Sequence, residues 1–212
     1  IFNSINNTVD ALSRKGVDGA ASGALARDVT VSGIKRQLRQ IVTSALPGYQ
    51  DNARYISELG IKTERDGSLS LSEDDFNKAF TAEPVLFDVL MNSMARSSNP
   101  SIKVMDGSTI LKPKGGIYSF VENSADGNNA TLGGVSLAGG VTNGVRSYAG
   151  VSGDISGLRI ETTGSVQTGT IYYGESLLSK LSEYIDELTS PVGTLATSKT
   201  KATTSIADFN ED

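Results

Sequence analysis

The distribution of glycine constrains this chain more than any other feature. Of its 23 glycines, 15 fall between residues 106 and 174 and only one lies beyond. A segment so rich in residues that accept positive φ folds as short strands and tight turns. As helix it would lose about 1 kcal/mol at each glycine. Between the glycines stand β-type runs: IYSFV (117–121), GVSLA (134–138), VRSYAGV (145–151), GLRIETT (157–163) and GTIYYG (169–174). Leu158, Ile160 and Thr162 alternate with Arg159 and Glu161, the period of a half-buried strand. The middle of the chain reads as a turn-rich antiparallel β domain, entered at Ser97-Ser98-Asn99-Pro100.

The flanks carry helical periodicity instead. Ile1, Ile5, Val9 and Leu12 form one apolar stripe, broken by the small residues of 15–24. A second helix starts at the N-cap candidate Asp28 and presents Val31, Ile34, Leu38, Ile41, Val42 and Ala45, before Pro47-Gly48 ends it. Its Lys35, Arg36 and Arg39 read as a solvated face, with partner docking as the alternative. Residues 49–59 read as a short helix with Tyr55, Ile56 and Leu59 inward. Residues 83–95 read as a buried helix, with Val85, Leu86, Val89, Leu90 and Met94 on one side and no cofactor box. After the β region, Leu177, Leu178, Leu181, Tyr184, Ile185 and Leu188 mark a helix stopped by Ser190-Pro191. From Leu195 a thinner pattern through 199, 202, 206 and 209 has coiled-coil spacing, and residues 1–13 are the expected partner.

GIKTERDGSLSLSEDDFNKAF (60–80) joins these patterns. Ile61, Thr63, Leu69 and Leu71 alternate around Asp66-Gly67, which predicts a hairpin with a two-residue turn. Ser72 with Asp75 three residues on predicts a helix start, followed by Phe76, Ala79 and Phe80 on one face. As a calcium loop the stretch fails, because counting from Asp66 puts Gly67 at the second position and Asn77 at the twelfth. The cassette is a structural joint.

Composition narrows the chemistry. The chain has no Cys and no His, which removes disulfides, thiolate nucleophiles and imidazole bases. A net charge of −5 argues against nucleic acid. No apolar run approaches the roughly 20 residues that span a bilayer. GGVTNG (139–144) lacks the Gly-Lys-Ser/Thr of a phosphate loop and reads as turn glycines. Asp126, Asp154 and Glu161 fit turns and strand exteriors, and Tyr172-Tyr173 fits a strand end better than a sugar platform. No residue is assigned as catalytic, cofactor-binding or metal-ligating, no cofactor is expected, and the chain is not expected to be an enzyme. No signal peptide is visible. The missing initiator Met and the helical patterns at both ends suggest a fragment.

LGIKTERDGSLSLSEDDFNKAFTAEPVLFDVL (59–90) resembles a segment of bacterial filament-cap proteins, the flagellar hook-associated protein 2 (FliD) family. The matching positions are Gly60, Ile61, Thr63, Asp66, Gly67, Leu69 and Leu71, followed by Glu83 and Pro84. ALARDVTVSGIKRQLRQIVTSAL upstream and YYGESLLSKLSEYIDELTSPVGTLATSKTKATTSIADFNED downstream are similar to that family's helices. The resemblance is weak over 100–170. It implies a structural cap at the flagellar tip that promotes flagellin polymerisation and prevents monomer loss. It also implies flagellin as partner, a homo-oligomeric ring (tetramer to hexamer), and an extracellular location reached through the flagellar secretion channel. No nucleic acid and no membrane are expected as partners. The alternatives are a secreted or phage-tail adhesin whose β module binds surface glycans, and an enzyme with an unrecognised carboxylate site. The expected fold is α+β: a helical bundle and coiled-coil region with a hairpin at 61–72, and a Gly-rich antiparallel β domain inserted between helices. Its divisions are a helical region 1–99, a β domain 100–174, and returning helices 175–212 that begin a C-terminal coiled coil.

Overall fold

The computed structural model describes residues 1–49, 52–106 and 112–211. It is a mixed α+β protein whose sheets are antiparallel. The helices are α1 (Phe2–Ser13), α2 (Val29–Thr43), α3 (Glu73–Ala82), the single turn α4 (Asp88–Met91), α5 (Leu177–Thr189) and α6 (Thr194–Glu211). The chain forms two compact units: 1–44 with 56–84 and 177–212, and 45–55 with 85–176.

In the first unit Asp28 caps α2, accepting from the backbone N–H of Thr30 (2.7 Å) and Val31 (3.3 Å). Buried Ile34 and Leu38 of α2 meet buried Leu188 of α5, and Phe2, Ile5, Val9, Leu181 and Tyr184 pack against them. Three helices thus share one apolar cluster. The α5 stripe is narrower than its spacing predicts, since Leu178 and Ile185 are 50% and 39% exposed. They lie one heptad apart, on a line beside the one that carries part-buried Leu181 and buried Leu188. The helix α6 packs on α5 and α2, and the hydroxyls of Thr30 and Ser198 are 3.1 Å apart. Its seam side chains at 202, 206 and 209 lie outside the described residues.

The hairpin of this unit pairs β1 (Ile61–Thr63) with β2 (Leu69–Leu71). Its loop has three residues, Arg65-Asp66-Gly67, rather than the expected two. The Gly67 N–H donates to the Glu64 carbonyl (3.0 Å), the Glu64 N–H donates to the Ser68 carbonyl (2.8 Å), and of these residues Gly67 alone has positive φ (+87°). This is a type I turn closed by a left-handed glycine. Asp66 serves it as an acceptor, taking the backbone N–H (2.9 Å) and the hydroxyl (2.7 Å) of Ser68. The free edge of β2 is met by a side chain. The Asn3 amide donates to the Leu69 carbonyl and accepts from its N–H, both at 2.8 Å, as a neighbouring strand would. Buried Asn6 donates to the Asp66 carbonyl (3.3 Å), and Arg39 of α2 donates to the Glu64 carbonyl (3.1 Å). Ser72 then caps α3 through the Asp75 N–H (3.4 Å).

The second unit contains two sheets. One has the order β4 (Ile102–Asp106), β10 (Leu158–Thr162), β9 (Val145–Ala149), β8 (Ala138–Thr142). The other runs β3 (Met94–Ser97), β11 (Thr168–Gly174), β5 (Gly116–Glu122), β6 (Ala130–Leu132), β7 (Val135–Ser136). Their inward residues form one core: Ile102, Tyr148, Leu158 and Ile160 from the first, Phe120, Leu132 and Ile171 from the second. The helix expected over 83–95 is instead a 3-10 turn (Pro84–Phe87), the single turn α4, and the strand β3. β11 offers β3 a full set of backbone partners, from Ile171↔Ser97 to Gly174↔Met94. The Tyr49 hydroxyl lies within 3.2 Å and 3.0 Å of the Asp88 and Asn92 carbonyls and satisfies the end of the short helix. No helix forms at 49–59 among the described residues. Leu46 bridges Arg54, a 3-10 turn covers Ile56–Leu59, and Tyr55 is 46% exposed; residues 50 and 51 lie outside the description. Gly139 and Gly140, read as turn glycines, belong to β8, where Gly139 lies against the Tyr148 ring.

One ionic cluster spans the two sheets. Glu122, at the end of β5, accepts at Oε1 from Arg146 Nε (2.5 Å), the Tyr148 hydroxyl (2.6 Å) and the Thr162 hydroxyl (2.8 Å). Its Oε2 accepts from Arg146 Nη2 (3.0 Å) and the Gln167 N–H (2.6 Å). Arg146 also donates to the Gly164 and Ser165 carbonyls at 3.0 and 2.9 Å. Burial alone would push the Glu122 carboxyl up. The bonds from Arg146, Tyr148, Gln167 and Thr162 outweigh it and hold the group down at about 2.

Two predictions follow from this geometry. Gly67→Val forces a β-branched residue to φ +87° and brings its Cβ to 3.0 Å from Asn6 Oδ1. Denaturant unfolding followed by helical circular dichroism should show a loss of about 1 kcal/mol or more; an unchanged midpoint would refute the strained turn. For Glu122, a depressed pKa contributes stability that is complete above the unfolded value, 4.5, and is lost as pH falls toward about 2. Thermal melts should therefore fall across that window. Glu122→Gln should cost about 3 kcal/mol at neutral pH, by leaving Arg146 buried without its counter-charge, and should flatten the acid slope.

Candidate assembly surfaces

The carboxylates and tyrosines singled out in the sequence are dispersed. Asp126 Oδ1 accepts from the Ser124 hydroxyl (2.6 Å) and the Asn128 N–H (2.9 Å) within its own turn, and these bonds lower its pKa. Asp154 pairs with Lys114 at 3.0 Å on the surface. Glu161 stands opposite Lys103 across the β10–β4 ladder. Tyr172 and Tyr173 are successive strand residues and face opposite sides of the sheet, so they build no common platform. Tyr173 is part of the core. Among the described residues no three His, Cys, Asp or Glu side chains converge as metal ligands.

The group with the strongest resemblance to a catalytic carboxylate is one that sequence reading missed. Glu122 is buried, ionised and hydrogen-bonded, yet every bond it accepts is structural. With its pKa held near 2 and its oxygens saturated by five donors, it neither takes nor gives a proton near neutrality. A signal for it was present. Glu122 shares the inward face of β5 with Phe120, two residues away, as Arg146 shares that of β9 with Tyr148.

The basic run of α2 is partly committed. Lys35 pairs with Asp10 of α1, and Arg39 reaches the hairpin loop, which leaves Arg36 on the exposed side. In the same unit a groove of about 470 Å³ is lined by Val29, Gly33, Ile34, Tyr184, Leu188 and Thr194, among others. Gly33 leaves its rim open, since a Cβ there would meet none of the described residues within 4 Å. Leu178, Ile185 and Leu195 add exposed apolar surface. Exposed apolar surface of this kind suits packing against other chains. No helix among the described residues is long and apolar enough to cross a membrane.

Comparison with known proteins bears on these surfaces. A model of the flagellar hook-associated protein 2 C-terminus matches residues 2–212. Neither the curated proteins nor the solved structures contain a match. With the match running essentially the whole length of the chain, this protein belongs to the flagellar hook-associated protein 2 C-terminus family, structural cap proteins found at the tip of the bacterial flagellum, outside the cell.

Proposed function

We propose that this chain contributes to a cap that promotes flagellin polymerisation at the filament tip and prevents loss of monomers. The observation that carries the reading is the family match over residues 2–212. The cap is a homo-oligomeric ring, tetramer to hexamer, whose subunits leave the cell through the flagellar secretion channel. The helices around Ile34, Leu38 and Leu188 belong to a helical bundle, and α6 begins a coiled coil. The exposed apolar residues of α5 and the groove over Gly33 support this reading, because both offer surface for further packing. Action of this kind is geometric: the ring keeps a space at the tip into which each flagellin folds, and no proton transfer is involved.

A strain lacking the gene tests the proposal. It should secrete flagellin into the medium, carry short filaments or none, and fail to swim. Complementation with Leu38→Asp should not restore motility, since it buries an unpaired charge where Leu38 is 3% exposed. Complementation with Asp126→Asn or Glu161→Gln should restore it nearly in full. Normal filaments in the null strain, with only surface adhesion lost, would replace the cap with the adhesin.

A further inference from the structure

The connection from β8 to β9 is the pair Asn143-Gly144. Thr142 pairs with Val145, and both turn residues have positive φ, +52° and +76°. This is a two-residue type I′ turn, and both residues are exposed. Asn143 is the one asparagine of the chain followed by glycine. Its side chain makes no hydrogen bond among the described residues, whereas those of Asn3, Asn6, Asn92, Asn99 and Asn123 are each held. No described residue lies within 4 Å of where a Gly144 Cβ would stand, which leaves room for a ring and for water.

We propose that Asn143 is a site of spontaneous main-chain modification, independent of the cap function. The Gly144 amide nitrogen gives its proton to water and attacks Asn143 Cγ. The new N–Cγ bond closes a five-membered imide, the Cγ–Nδ2 bond breaks, and ammonia leaves with the returned proton. Water then adds to one of the two imide carbonyls. Opening on one side yields aspartate, and opening on the other yields isoaspartate, whose main chain runs through the former side chain. No oxidant or reductant takes part. The turn must open before the nitrogen reaches Cγ. Its position favours opening, because Thr142–Val145 is the last pair of an edge strand.

The consequence is local to β8. Among the described residues this strand has β9 as its one neighbour in the sheet, and it carries Gly139 and Gly140, which contribute no side chains to packing. Isoaspartate adds a methylene to a turn that admits two residues, so the Thr142–Val145 pair opens and β8 frays. Fraying stops at Arg146, which Glu122 anchors.

The test is incubation of the folded protein at mildly alkaline pH, followed by digestion and mass spectrometry. The peptide containing Asn143 should gain the mass that accompanies exchange of NH2 for OH, and isoaspartyl methyltransferase should label it. The peptide containing Asn92-Ser93, whose amide is held by Asp88 at 2.8 Å, should lag well behind. Backbone hydrogen exchange over 138–142 should become several-fold faster in the aged protein. Asn143→Gly, which accepts the same positive φ, should stay unmodified and keep its exchange rates. The modification is overturned if Asn143 stays intact while a synthetic 138–149 peptide converts. The structural consequence is overturned if conversion leaves exchange over 138–142 unchanged.

Discussion

Two sheets joined only by apolar contacts are free to slide, because the hydrophobic effect has no preferred direction. In the β unit that freedom is removed where Glu122 of one sheet takes both ends of its carboxylate into bonds from Arg146, Tyr148 and Thr162 of the other. A buried ion pair adds little net stability over an apolar pair of similar volume. Its value lies in the number of conditions it imposes at once. Five donors on Glu122 and two further acceptors for Arg146 are satisfied together in a single alignment of β5, β9, β10 and the start of β11. The core around Phe120 and Tyr148, with ring centroids 5.8 Å apart, then packs in the register that the ion pair has selected.

The helical unit uses neutral polar groups for a similar purpose. A two-stranded hairpin is marginal alone and leaves an edge open to other chains. Here Asn3 occupies the edge at Leu69, and Asn6 and Arg39 hold the loop. The hairpin is thereby fixed to α1 and α2 before α3 begins. A protein whose work is to hold a shape at the tip of a filament depends on such fixed joints more than on reactive groups. Asp66 and Asp126 are committed to turns, Asp154 to a surface pair with Lys114, and Glu122 to the buried clamp.

Local chemistry was legible in the residues wherever one short segment decided the outcome. Asp28 and Ser72 cap the helices they precede, Gly67 turns the hairpin, and the alternation of Leu158, Ile160 and Thr162 is a strand. Misreadings arose where a distant partner decided. Met94 and Ala95 close an apolar helical pattern over 83–95, but β11, more than seventy residues later, offers Met94–Ser97 a ladder of hydrogen bonds. Gly139 and Gly140 read as turn residues until β9 and the Tyr148 ring give them a place in a sheet. Tyr49 fell within an expected helix and became a buried cap for carbonyls about forty residues away. The ion pair was missed for the same reason, since 24 residues separate its members and only the inward phase of each strand marks them.

The way the chain is shared between its units sets an order of events for folding. It passes from one unit to the other at 44–45, 55–56, 84–85 and 176–177. The apolar faces of α1 and α2 therefore precede the β unit, yet Leu188, which closes their cluster, follows it. Contacts of such long sequence separation form slowly, because the intervening chain must be ordered or looped out before they are rewarded. A polypeptide emerging from its N-terminus would hold Ile34 and Leu38 uncovered throughout the passage of the β unit. The helical unit is closed by a segment that follows the β unit, so its maturation reports that the intervening β segment has come through.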